Sequence, residues 1–112
     1  MRLTGKCKED FEKWYVDYKN WIEYTVNEEG ETDIYKIDIK EFFEHKDSMQ
    51  YGVFVDFFDS EDIRINIHSE IDYIQTYVND NDLGNHFQFI KEARTEAIKK
   101  ANEIYNKLMN KN

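Results

Sequence analysis

Ile63-Arg64-Ile65-Asn66-Ile67-His68-Ser69-Glu70-Ile71-Asp72-Tyr73-Ile74-Gln75-Thr76-Tyr77-Val78 decides the fold. Ile63, Ile65 and Ile67 alternate with Arg64, Asn66 and His68, the two-residue period of a strand with one buried face. Ser69-Glu70 reads as a tight connection to a second strand from Ile71 to Val78, with Ile71, Tyr73 and Tyr77 on one face and Ile74 and Val78 on the other. The polar run Asn79-Asp80-Asn81-Asp82-Leu83-Gly84-Asn85 reads as a loop, and Phe87 and Phe89 around Gln88 as a short third strand.

Helical periods flank this stretch. Phe11, Trp14, Tyr15, Tyr18 and Trp21 with Ile22 recur at three- and four-residue steps, which predicts a helix over 5–24 with Thr4 as its N-cap. Met49, Val53, Phe54, Phe57 and Phe58 mark a second helix from Asp47 or Ser48 to about Ser60, where Gln50 could close a capping box. Ile90, Ala97, Ile98, Ala101, Ile104, Tyr105 and Leu108 trace a third over 91–109, and Ala93, Ala97 and Ala101 would let it approach a sheet closely. Residues 33–40 read either way: Tyr35, Ile37 and Ile39 alternate as in a strand, whereas Ile34, Ile37 and Glu41 fit helical spacing. The expected fold is one α+β domain over 1–112, a three-stranded antiparallel sheet (four-stranded if 33–40 pairs) packed with three helices in the order α-(β)-α-β-β-β-α.

The 112 residues are 40% hydrophobic, 35% charged and 16% aromatic, enough apolar surface for one core and too little chain for two. No apolar run is long enough to span a membrane, and the N-terminus lacks the apolar stretch of a secretory signal, so a cytoplasmic protein is expected. Cys7 is the only cysteine, which excludes an internal disulfide or a cysteine-built zinc site. The net charge of −9 disfavours direct contact with nucleic acid or an anionic membrane. That charge is concentrated: residues 23–47 hold nine acidic and three basic groups and residues 56–82 eight and one, while the two ends are slightly basic.

Chemistry-bearing motifs are scarce. His45, His68 and His86 stand at no metal-ligand spacing; His68, with Asp72 near it in sequence, is the one conceivable dyad. The run Asp56-Phe57-Phe58-Asp59-Ser60-Glu61-Asp62 gathers carboxylates suited to Mg²⁺ or Ca²⁺, but a solvated acidic turn is the plainer reading. Counted from Asn79, the fifth and twelfth positions of a calcium loop are Leu83 and Ile90, so that motif fails. Phosphate-cradling glycine loops and nucleophile elbows are absent. Neither a cofactor nor a metal is expected, and no catalytic residue stands out. Most of Phe11, Trp14, Phe54, Phe57, Phe58, Phe87 and Phe89 are expected in the core, leaving some of Tyr15, Tyr18, Trp21, Tyr24 and Tyr51 for an exposed aromatic patch that could support a homodimer.

Two stretches, Asp47-Ser48-Met49-Gln50-Tyr51-Gly52-Val53-Phe54-Val55-Asp56-Phe57-Phe58-Asp59-Ser60 and Glu92-Ala93-Arg94-Thr95-Glu96-Ala97-Ile98-Lys99-Lys100-Ala101-Asn102-Glu103-Ile104-Tyr105-Asn106, resemble small uncharacterised acidic α+β proteins encoded by bacteriophages and prophages. They cover about a quarter of the chain. The resemblance implies a phage origin, a small α+β fold and membership of a population rich in inhibitors of host defence enzymes, anti-CRISPR proteins and nucleic-acid mimics among them; it transfers no catalytic residue. On that basis the chain is expected to be a non-enzymatic inhibitor that offers a basic host protein an acidic surface: Glu28, Glu29, Glu31, Asp33, Asp59, Glu61, Asp62, Asp80 and Asp82. The rival expectation is a self-associating accessory protein whose acid only keeps it soluble.

Overall fold

The computed structural model describes residues 1–23 and 39–110, with side chains for all of these but 19–23 and 84–86. Helix α1 spans Gly5–Glu23, residues 39–44 are helical (α2), and α3 spans Asp47–Ser60. Strands β1 (Ile65–Ser69), β2 (Ile74–Val78) and β3 (Asn81–Phe87) follow, and α4 (Ile90–Met109) closes the chain. The sheet is antiparallel in the order β1-β2-β3. The α+β expectation holds with its three-stranded sheet, and the described residues form four helical segments where three were expected. Ile39 and Lys40 are helical, against the strand reading, because Phe42 must turn inward onto Phe11 and Tyr15. Residues 33–38 lie outside the described residues.

The hairpin turn sits later than the sequence implies. Ser69 pairs with Ile74, and Glu70 N–H donates to Tyr73 C=O at 2.8 Å, so four residues make the turn and Ile71 stands at its tip. The slip is even-numbered, so parity survives: Ile65, Ile67, Ile74, Thr76 and Val78 share the inner face, as the alternation demands. Asn79 and Asp80 alone turn the chain into β3, both with positive φ (53° and 65°), the backbone of a type I′ turn. Asn81 to Asn85, read as loop, belong to β3. Leu83 to Asn85 bulge opposite Thr76, since Gln75 pairs with His86 and Tyr77 with Asp82.

Helix α4 packs on β2 and also on α1 and α3. Ala93, Ala97 and Ala101 are wholly buried, and the absence of longer side chains permits the close approach. Between the helices lies an aromatic core. Phe11 meets Phe54 at 4.9 Å, Phe42 edge-on at 5.1 Å and Phe57 edge-on at 5.4 Å between centroids.

The start of α1 is capped from another helix. Thr4 does not cap with its own hydroxyl; Asn102 Nδ2 donates to that hydroxyl at 3.0 Å while Asn102 Oδ1 accepts Thr4 N–H at 3.0 Å. One turn on, Asn106 Oδ1 accepts Cys7 N–H at 2.8 Å and its Nδ2 donates to Thr4 C=O at 2.9 Å. Two asparagines four residues apart on α4 thus satisfy donors that a helix start leaves open. Gly5 permits the approach: its φ is +61°, and a Cβ there would lie 3.2 Å from the Asn106 amide. Gly5→Ala is expected to lose about 1–2 kcal/mol from the left-handed backbone, more if Asn106 is displaced, read as a lowered urea midpoint.

The other expected cap also differs. Lys46 occupies the N-cap of α3 without a side-chain hydrogen bond, and buried Gln50 makes no box with Asp47. Gln50 Nε2 instead donates to His45 C=O at 2.8 Å, pinning the α2–α3 corner.

Candidate interaction surface

The acidic pole is assembled from two turns. Helix α3 stops in a Schellman-type closure: Ile63 N–H reaches Phe58 C=O at 2.8 Å, Asp62 N–H reaches Asp59 C=O at 3.1 Å, and Asp62 takes φ +61°. Two residues later, Arg64 N–H donates to Asn79 Oδ1 and Asn79 N–H to Arg64 C=O, both at 2.8 Å. That reciprocal pair clamps the Asn79-Asp80 turn beside the end of α3. Asp59, Glu61, Asp62 and Asp80 therefore share one end of the molecule, all exposed. Among the described residues, none of these four makes an ion pair, whereas Lys6 pairs with Glu9 and Asp10, Lys91 with Asp47, and Lys100 with Glu103.

Asp82 differs from its neighbours. It accepts a hydrogen bond from Gln75 Nε2 across the sheet and borders a groove of about 450 Å³ whose far wall includes Lys99 and Lys100 of α4. It belongs to the sheet face more than to the open pole. Glu28, Glu29, Glu31 and Asp33 lie outside the described residues.

Backbone and dipole both oppose this placement of charge. Helices α3 and α4 run parallel, since Asp47 meets Lys91 near their starts and Phe57 meets Tyr105 near their ends. Their C-terminal, partially negative ends thus point towards the acidic pole, where carboxylates are disfavoured. Asp62 and Asp80 also hold left-handed conformations in which glycine is unstrained.

Among the described residues, the histidines and carboxylates near the pole form no dyad or metal cluster. The hairpin register sets Gln75, not Asp72, across from His68, whose ring meets Tyr77 edge-on at 5.6 Å. Burial, and after it the charge of Asp56 that accepts the Tyr18 hydroxyl, pushes the Tyr18 phenol pKa up. Among the described residues no three His, Cys, Asp or Glu side chains converge as metal ligands. Cys7 is wholly buried, and burial, with Asp10 nearby, pushes its thiol up to about 12, far from a nucleophile's range.

Asp10 is instead a structural carboxylate. Burial would raise its pKa, but the Tyr105 hydroxyl donating at 2.6 Å and the Lys6 ammonium at 3.1 Å outweigh that and hold it below the usual range. A depressed folded-state pKa gives stability that is present above the unfolded carboxylate value and lost as pH falls through the folded one. Asp10→Asn is therefore expected to be less stable than the parent near neutrality. The gap should close as pH drops below about 3.9, as followed by thermal melts across the acid range.

The aromatic expectations are met only in part. Phe11, Phe54, Phe57, Phe58 and Phe87 are buried and Trp14 is half-buried against them. Phe89 is 63% exposed, because it occupies the N-cap of α4 rather than a strand facing the core. Of the rings expected on the surface, Tyr15 is buried and Tyr18 and Tyr51 are half-buried, with the Arg94 guanidinium 5.2 Å from the Tyr51 ring centre; the side chains of Trp21 and Tyr24 lie outside those described.

No family model, curated protein or solved structure matches the chain. No helix among the described residues is long and apolar enough to cross a membrane.

Proposed function

We propose that the chain is a small, non-enzymatic, phage-encoded inhibitor that docks its acidic pole onto a basic surface of a host protein, in the manner of a nucleic-acid mimic. The observation that carries the reading is the clamp between Arg64 and Asn79, which gathers Asp59, Glu61, Asp62 and Asp80 from two separate turns with no cation paired to them among the described residues. Carboxylates fixed on rigid turns can stand where phosphates would, and their summed field speeds encounter with a cationic cleft. Their location supports the same reading: charge is held against the helix dipoles and on backbone where glycine fits better, a loss of stability that an outward-facing role would offset. A target that handles nucleic acid presents the required basic cleft, and occupation of it would suffice for inhibition.

The test is salt. Immobilised chain is expected to retain a basic host protein at about 0.05 M salt and release it by about 0.5 M, where screening shortens the reach of surface charge to a few ångströms. Retention that does not change over that range contradicts the reading.

A further inference from the structure

We infer that the free edge of β3 takes a fourth strand: an extended segment of a partner protein, antiparallel to β3 and alongside α4, with basic side chains at two alternate positions and an acidic one at the next. None of the four carboxylates of the acidic pole takes part, so this site is independent of the inhibitory reading.

Main-chain groups create the opening. Glu70 N–H donates to Tyr73 C=O and Asn79 N–H to Arg64 C=O, so Gln75 and Tyr77, of the same parity, turn their N–H and C=O groups to β1. Asp82 and His86 stand across from Tyr77 and Gln75, and their own main-chain groups therefore face away from β2. Among the described residues β3 is an edge strand, and an extended chain is what satisfies such groups. The bulge at 83–85 lies between the two bonding positions. It favours a short segment over a long ladder. A second copy fits poorly, since its β3 contributes an aspartate but no lysine or arginine and the shared ladder would run through two bulges.

Helix α4 forms a wall beside that edge. Two grooves of about 450 and 420 Å³ lie between β3 and α4 and meet at Glu96, one bordered by Asn81 to Leu83 and the other by Phe87. Together they follow the strand from end to end, and each has the volume of a ligand site. Because α4 runs back along β3, a segment antiparallel to β3 runs in the direction of α4.

Charge along the wall selects the side chains. Glu92, Glu96 and Lys100 succeed one another at four-residue steps of about 6 Å, close to the ~6.7 Å between alternate residues of a strand. Lys91 is held by Asp47 at 3.5 Å, Lys100 lies 4.0 Å from Glu103, and Asp82 on the facing wall accepts from Gln75. Among the described residues Glu92, Glu96 and Lys99 make no ion pair. An incoming segment thus meets two carboxylates first and the ammonium groups of Lys99 and Lys100 after them, which matches basic, basic and acidic side chains at successive alternate positions.

The probe is a capped peptide of about six residues with lysine at its first and third positions, glutamate at its fifth and valine between; a control peptide exchanges the charges. Calorimetric titration of the full chain is expected to give a Kd of about 100 μM or tighter for the first peptide and at least tenfold weaker binding for the control. The Asp82 and His86 amides should gain protection from hydrogen exchange as the peptide binds. The double variant Glu92→Lys and Glu96→Lys, shown to be folded by its thermal melt, is expected to reverse the preference. Neutralising the acidic pole should leave peptide binding unchanged, which separates failure here from failure of the inhibitory reading. No saturable binding at about 1 mM peptide, equal binding of the two peptides, or binding without protection of those amides overturns the proposed site. Self-association that protects the same amides without peptide also overturns it, because a second copy then holds the edge.

Discussion

Phe11→Ala is expected to remove about 3–5 kcal/mol of folding stability, the range for deleting a fully buried ring. Phe11, with Trp14 and Tyr15 beside it on α1, joins that helix to the rest of the helical layer through ring contacts to Phe42, Phe54 and Phe57. Those neighbours are themselves large and mutually packed, so they cannot collapse into the vacated space without breaking other ring contacts. Small domains hold about 5–15 kcal/mol in total. The variant should therefore populate the unfolded state well below the parent's midpoint in urea denaturation. A loss under about 1 kcal/mol would mean that the aromatic layer is not the packed unit described.

Neutralising the acidic pole is expected to move stability and binding in opposite directions. In the combined variant Asp59→Asn, Glu61→Gln, Asp62→Asn and Asp80→Asn, shapes are nearly kept, and asparagine tolerates the left-handed backbone at 62 and 80. Removing carboxylates from the C-terminal end of α3 relieves about 0.3–1 kcal/mol of helix-dipole repulsion, and like-charge repulsion falls as well, so the melting temperature should rise. Association with a basic partner should slow by about tenfold or more as steering is lost. A surface whose charges served only solubility would show the first effect without the second.

Much of the fold was legible because periodicity survives local error. The alternation of Ile63, Ile65 and Ile67 identified the inner face correctly even with the turn placed at Ser69-Glu70, since moving it to 70–73 shifts the register by an even step. Ala97, Ile98, Ala101 and Tyr105 marked the α4 stripe because they recur at three- and four-residue steps and all are buried. Polar edge strands were not legible. Asn81 to Asn85 look like a loop, yet an edge strand needs only backbone donors on one side and tolerates polar side chains facing water.

The same shift of register hid the assembly of the acidic pole. A two-residue connection at 69–70 would set Arg64 opposite Gln75, whereas the observed register sets it beside Asn79 and so joins the two acidic turns. Each cluster was visible along the chain; their meeting depends on strand pairing, which local sequence signals leave open. Phe89 escaped for a related reason, because its alternation with Phe87 holds only if the strand continues, and α4 begins at Ile90. The cross-helix caps by Asn102 and Asn106 had a fainter signal, an i, i+4 asparagine pair on a buried helix face, that points to bonding with another element.

The most direct test of the outward acidic pole is to immobilise the parent chain and the four-site neutral variant side by side and measure the amount and on-rate of one captured basic host protein at about 0.1 M salt, where charges act over about 10 Å. The account predicts strong capture by the parent and at least a tenfold loss of on-rate in a variant that melts at the same or a higher temperature. Equal capture by the two chains would contradict it.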